Sequence, residues 1–73
     1  MDSPIYLNIR RIRELKNLTR EYVAAELNMS SSGYGKIERG EVDITISRLY
    51  QISDALGVPL SSVLHLDISK LFC

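Results

Sequence analysis

Seventy-three residues, 45% of them hydrophobic, make one small globular domain and exclude a disordered chain. Nine Lys and Arg against nine Asp and Glu leave no formal net charge, so the broad basic surface usual in nucleic-acid binders is absent and any such partner must meet a one-sided patch. No run approaches the roughly 20 apolar residues of a membrane span, and residues 1–6 lack the basic and apolar regions of a secretory signal. Cys73, the single cysteine, has no second thiol to bridge, so a reduced, cytoplasmic chain without metal or cofactor is expected.

Gly and Pro divide the chain into five helical stretches, with no strand pattern and no internal repeat. Ser3-Pro4 reads as a cap and first-turn pair. Ile5, Ile9, Ile12 and Leu15 then recur at steps of three and four, the period of an amphipathic helix that Lys16-Asn17 ends. Thr19 caps a second helix running to about Leu27, with Glu21 in its first turn to suit the dipole. Asn28 tolerates the left-handed backbone a sharp turn needs. Ser30 or Ser31 caps a third helix that reaches about Arg39 before Gly40 stops it. Thr45 caps a fourth, with Ile46, Leu49, Ile52 and Leu56 as its inner stripe and Gly57 as its stop. Val58-Pro59 opens a short fifth helix facing inward with Leu60, Val63 and Leu64. The sum is an all-α, compact five-helix bundle.

The second and third helices carry the most information. They meet across a three-residue break, with Val23, Leu27, Met29, Tyr34 and Ile37 where two crossed helices touch and the small Ala24 where they come closest. This is the layout of a helix-turn-helix, about residues 19–39, which offers its second helix to the DNA major groove.

The elements Ile12-Arg13-Glu14-Leu15, Leu18-Thr19-Arg20-Glu21, Ala24, Leu27, Ser30, Ile37-Glu38-Arg39-Gly40 and Leu56-Gly57-Val58, in this order and spacing, resemble the phage repressor/Cro-type, or Xre-type, helix-turn-helix domain. The resemblance covers about residues 8–66, leaving 67–73 as a C-terminal tail. It implies a lambda-repressor-like five-helix DNA-binding domain, usually dimeric, in a transcriptional regulator. Asn28 stands where the family usually has glycine, and Arg20 where a phosphate-contacting glutamine is common. Gly33 and Gly35 depart most, each costing about 1 kcal/mol relative to alanine inside a helix. They either let the backbone approach DNA or make room for the Tyr34 ring.

Carried onto this chain, the resemblance points Ser31, Ser32 and Lys36 into the major groove. Lysine can read guanine, whereas serine discriminates weakly. The bland alternative is a solvated polar face. Arg20, Ser30, Arg39, Thr45 and Arg48, with Ser47 beside them, are candidate phosphate contacts. The alternatives are a surface ion pair for Arg20, a plain helix cap for Ser30 and a helix-end charge for Arg39. Arg13 and Glu38 match a structural pair joining the first helix to the end of the third. Glu41 and Asp43 make the following loop acidic, so it is expected to stand away from phosphates.

Tyr6, Tyr22 and Tyr50 read as core edges. No nucleophile–base arrangement, phosphate loop or metal-ligand spacing at His65 can be assembled, so an enzyme is not expected. The apolar surplus of Leu64, Leu66, Ile68, Leu71 and Phe72 suggests a contact with a second copy. The expected function is sequence-specific binding of double-stranded DNA by a dimeric, repressor-like regulator on a palindromic site. The zero net charge, the two glycines and the acidic loop leave one alternative of another class, a protein-partner module that kept the fold and lost DNA affinity.

Overall fold

The computed structural model describes residues 4–66, and these form α1 (Ile5–Leu15), α2 (Arg20–Glu26), α3 (Ser31–Glu38), α4 (Ile46–Leu56) and α5 (Leu60–Leu64), with no strand among them. Three starts follow from a small hydroxyl residue just ahead of an apolar period. The side chains of Thr19, Ser30 and Thr45 accept the backbone N–H of Tyr22, Gly33 and Arg48 at 3.0, 3.0 and 3.1 Å, filling one orphan donor of each first turn. The start of α1 differs from the expected cap-and-Pro pair. Pro4 itself occupies the cap position, in extended conformation, and its carbonyl accepts from Leu7 and Asn8, while Ser3 lies outside the described residues.

The first four helices share one ending. Asn17, Asn28, Gly40 and Gly57 take φ of 58°, 55°, 72° and 70°. The next residue in each case donates back to a carbonyl in the last turn of the helix, Leu18 to Arg13, Met29 to Ala24, Glu41 to Lys36 and Val58 to Ser53, at 2.9–3.0 Å. At Gly40 the requirement is double, since a Cβ there would fall 2.6 Å from the Tyr6 ring.

The core gathers Ile9 and Ile12 of α1, Val23, Ala24 and Leu27 from α2 and its cap, Tyr34 and Ile37 of α3, Leu49, Ile52 and Leu56 of α4, then Val58 and Val63. Two expectations need correction. Ile46 is 71% exposed because, as the first residue of α4, it projects beyond the end of the core. The inner stripe of that helix is Leu49, Ile52, Ser53 and Leu56. Tyr22 and Tyr50 are exposed rather than core edges, whereas Tyr6 is half-buried against Gly40. Leu60 and Leu64 face inward as expected and, with Leu66, pack against the core while remaining partly exposed. Ile68, Leu71 and Phe72, and with them the tail contact expected for 67–73, lie outside the described residues.

Side chains tie the ends together. Lys16 Nζ donates to the Leu56 and Gly57 carbonyls at 2.8 and 3.3 Å, joining the ends of α1 and α4. Asn8 Nδ2 donates to the Val63 carbonyl at 2.9 Å and fixes α5 on α1.

Candidate nucleic-acid interface

With 3.6 residues per turn, α3 divides into two arcs. Ser31, Gly35, Arg39, Ser32 and Lys36 fall within about 140° of one another, and Ile37, Tyr34 and Glu38 on the opposite side. Burial follows the division. Tyr34, Ile37 and Glu38 are at most 4% exposed, whereas Ser31, Ser32, Lys36 and Arg39 face solvent. Packing of Tyr34 and Ile37 against α1 and α2 thus holds a helix that its two glycines leave weak in intrinsic propensity.

The glycines are filled from outside the helix. A Cβ on Gly33 would stand 3.1 Å from Ser30 Oγ, the capping atom. One on Gly35 would stand 2.9 Å from Arg39 Nη1, because the Arg39 side chain folds back across the helix surface at that point. Gly35 is therefore buried although it lies on the outward arc.

Beneath this surface runs an ion pair between α1 and α3. Arg13 Nε and Nη2 donate to the two carboxylate oxygens of Glu38 at 2.7 and 3.1 Å, and Nη1 donates to the Leu18 carbonyl at 2.9 Å. Both side chains are at least nine-tenths buried. The hydrogen bond to Glu38 raises the affinity of the guanidinium for its proton, against the opposing effect of burial. Tyr34 lies beside this pair. Burial, then the neighbouring carboxylate, pushes its phenol well above the ordinary range, and its hydroxyl makes no well-formed hydrogen bond.

The remaining candidates are spread around α3. Arg20 opens α2, half exposed, with Nε 3.7 Å from Glu38 Oε1, so its partner is that carboxylate and not Glu21. Arg39 pairs with Glu41, two residues on at the start of the acidic loop. Thr45 Oγ1 caps α4 and lies 3.2 Å from Ser47 Oγ. Arg48 is half-buried, and its Nη1 donates to the Leu27 carbonyl and to Gln51 Oε1 at 3.4 and 3.1 Å, which links α4 to the end of α2.

One of the basic residues of the N-terminal third, Arg10, to which sequence reasoning assigned no individual role, joins them. Arg10, one turn before Arg13 on α1, lines a cleft of about 110 Å³ with Arg20, Gly35, Glu38 and Arg39. Its position three residues from Arg13 was the available signal. Among the described residues no His, Cys, Asp and Glu side chains group as a metal site, and no helix is long and apolar enough to cross a membrane.

Comparison with known proteins agrees with this arrangement. The helix-turn-helix family model matches residues 9–63. An uncharacterised HTH-type transcriptional regulator, y4dJ of Sinorhizobium fredii, is 39% identical over 51 residues, covering 70% of this chain and 66% of that protein, so about a third of that relative lies outside the match. The control protein C.MunI of a Mycoplasma species is 32% identical over 63 residues, 85% of this chain and 84% of its own. The crystal structure of the restriction-modification controller protein C.AhdI from Aeromonas hydrophila superposes with a TM-score of 0.75 at 22% identity, over 81% of this chain and 89% of that one, which establishes the shared fold. With three-quarters of its length in the family match, the chain belongs to the Xre-type helix-turn-helix family of DNA-binding transcriptional regulators.

Proposed function

We propose that this chain is a sequence-specific, repressor-like regulator that binds double-stranded DNA as a homodimer on a palindromic site, in the cytoplasm. The observation that carries the reading is the division of α3, whose inner arc is locked in the core while Ser31, Ser32 and Lys36 stand exposed on the outer one. Lys36 reads a base edge and the two serines contribute weaker discrimination. Arg20, Arg39 and the exposed Ser30 cap at the start of α3 hold the flanking backbone, with Thr45 and Arg48 further out. Two half-sites one DNA turn apart need two such helices about 34 Å apart. The described residues carry one helix-turn-helix and extend 30 Å along their longest axis, so on this reading the second helix is supplied by a second copy.

The test is a salt titration of binding to random and to selected duplexes, followed by fluorescence anisotropy. Log affinity should fall with log salt at about 0.9 per phosphate contacted, and the selected duplex should bind a two-chain complex in sedimentation. One set of observations favours the second reading, a protein-partner module. The net charge is zero, and Arg20, Arg39 and Arg48 already face groups of the protein itself. Absent binding to any duplex at low salt would select it.

A further inference from the structure

We infer that the cleft between α1 and α3 is a seat for one phosphoryl group, supplied by the DNA backbone, with Arg10, Arg20 and Arg39 as its ligands and Gly35 as the residue that keeps it open. The inference deepens the regulator reading and rests on it for the source of the phosphoryl group.

The three guanidiniums line one small concavity, and each side chain is about half exposed, at 48%, 51% and 53%, so their forks are accessible from solvent. The carboxylate in the cleft is Glu38, and both of its oxygens already accept from Arg13 behind it. Four guanidiniums thus share this region with three carboxylates, Glu14, Glu38 and Glu41, which leaves one positive charge for an incoming anion. Arg10 with Glu14 is a long contact at 3.7 Å between half-exposed groups, of the kind that is weak and readily exchanged, and Arg20 Nε stands 3.7 Å from the buried Glu38, too far for a hydrogen bond to a carboxylate that Arg13 already holds. A planar guanidinium matches phosphoryl oxygens two at a time, which a lysine in any of the three places would not do.

Gly35 decides the geometry. Arg39 Nη1 occupies the place of the missing side chain, 2.9 Å from where a Cβ would be. Any larger residue forces that guanidinium to leave the position in which it lines the cleft. The glycine that weakens α3 as a helix is, on this account, what brings the third ligand in. Gly35 and Arg39 also lie on the same arc as Ser31, Ser32 and Lys36, so a helix that presents those three to a groove brings the cleft against one of its sugar–phosphate walls.

The experiment uses the full chain with Arg10→Gln and Gly35→Ala. Binding to a selected and to a random duplex is measured between 50 and 200 mM salt. In parallel, the Nε–Hε signals of Arg10, Arg20 and Arg39 are followed by NMR as inorganic phosphate is added. Arg10→Gln should weaken both duplexes by the same factor and lower the salt slope by about one, so that the loss of affinity across that salt range shrinks about 3.5-fold. Gly35→Ala should weaken both duplexes equally while melting no lower than the parent. Phosphate should shift the three arginine signals saturably in the parent and not in Gly35→Ala. A parent that binds duplex while Arg10→Gln changes neither affinity nor slope overturns the cleft and leaves the regulator standing. Saturable phosphate shifts with no duplex binding overturn DNA as the source and the regulator reading together, and keep the phosphoryl seat.

Discussion

Replacing Glu38 by alanine should cost this small domain a large share of its stability. The carboxylate accepts two charge-assisted bonds from Arg13, at 2.7 and 3.1 Å, and the arginine left behind is nine-tenths buried with only the Leu18 carbonyl remaining. Breaking a buried pair from one side typically costs about 3–5 kcal/mol, because the stranded charge must either find water or stay unpaired. A chain of 73 residues has about 4–11 kcal/mol in total at 0.05–0.15 kcal/mol per residue. Glu38→Ala should therefore lower the urea midpoint, followed by far-ultraviolet circular dichroism, by about a quarter or more, with little change in slope. The apolar double replacement Arg13→Met with Glu38→Leu should recover most of the loss, since it removes both charges together. On any Glu38→Ala protein kept folded by low temperature, base preference should persist. Unchanged melting with lost sequence preference would refute the reasoning and move Glu38 into the recognition surface.

Lys36→Ala should relax preference at one base position by about 1–3 kcal/mol, while Arg20→Ala weakens all sequences alike; identical behaviour of the two would remove the division into readers and anchors. Gly40→Ala should destabilise by about 2–4 kcal/mol in urea titration, combining a left-handed backbone with a Cβ 2.6 Å from the Tyr6 ring, and an unchanged midpoint would contradict that packing. Tyr34 holds its proton more tightly folded than unfolded. Its contribution is thus complete below pH 10 and is lost above it at about 1.4 kcal/mol per pH unit, because the unfolded chain releases the proton first. Urea midpoints of the parent should fall faster than those of Tyr34→Phe between pH 10 and 11, and parallel falls would exclude the burial of that hydroxyl.

Which parts of this architecture can be read from sequence depends on how local their cause is. Thr19, Ser30 and Thr45 are visible as caps because the hydrogen bond they make is to a residue three positions on. Asn28 is visible because only a few residue types tolerate its φ of 55°. Ile46 is exposed despite its place in the period, because a helical period tells which face is apolar and not where the core ends. Tyr22 and Tyr50 have the same cause, aromatic residues at helical spacing whose faces turn outward once α2 and α4 are docked. The basic character of Arg10, Arg20 and Arg39 is visible in the sequence, but their convergence on one cleft is not. Arg10, Arg20 and Arg39 lie on three helices, and what brings the last of them over Gly35 is a fold-back that no spacing rule records. Arg48 is similar, since its bond to the Leu27 carbonyl depends on how α4 crosses the end of α2.

The bond between Arg13 and Glu38 fastens the far end of α3 to α1, while the Gly40 turn presses on the Tyr6 ring just beyond it. Anchored twice at its exit and gripped along its length by Tyr34 and Ile37, this helix has little freedom to roll or tilt by itself. A duplex whose groove is slightly too wide or too narrow must then yield in the protein's place. Base pairs that no side chain reaches would come to matter through the ease with which they bend.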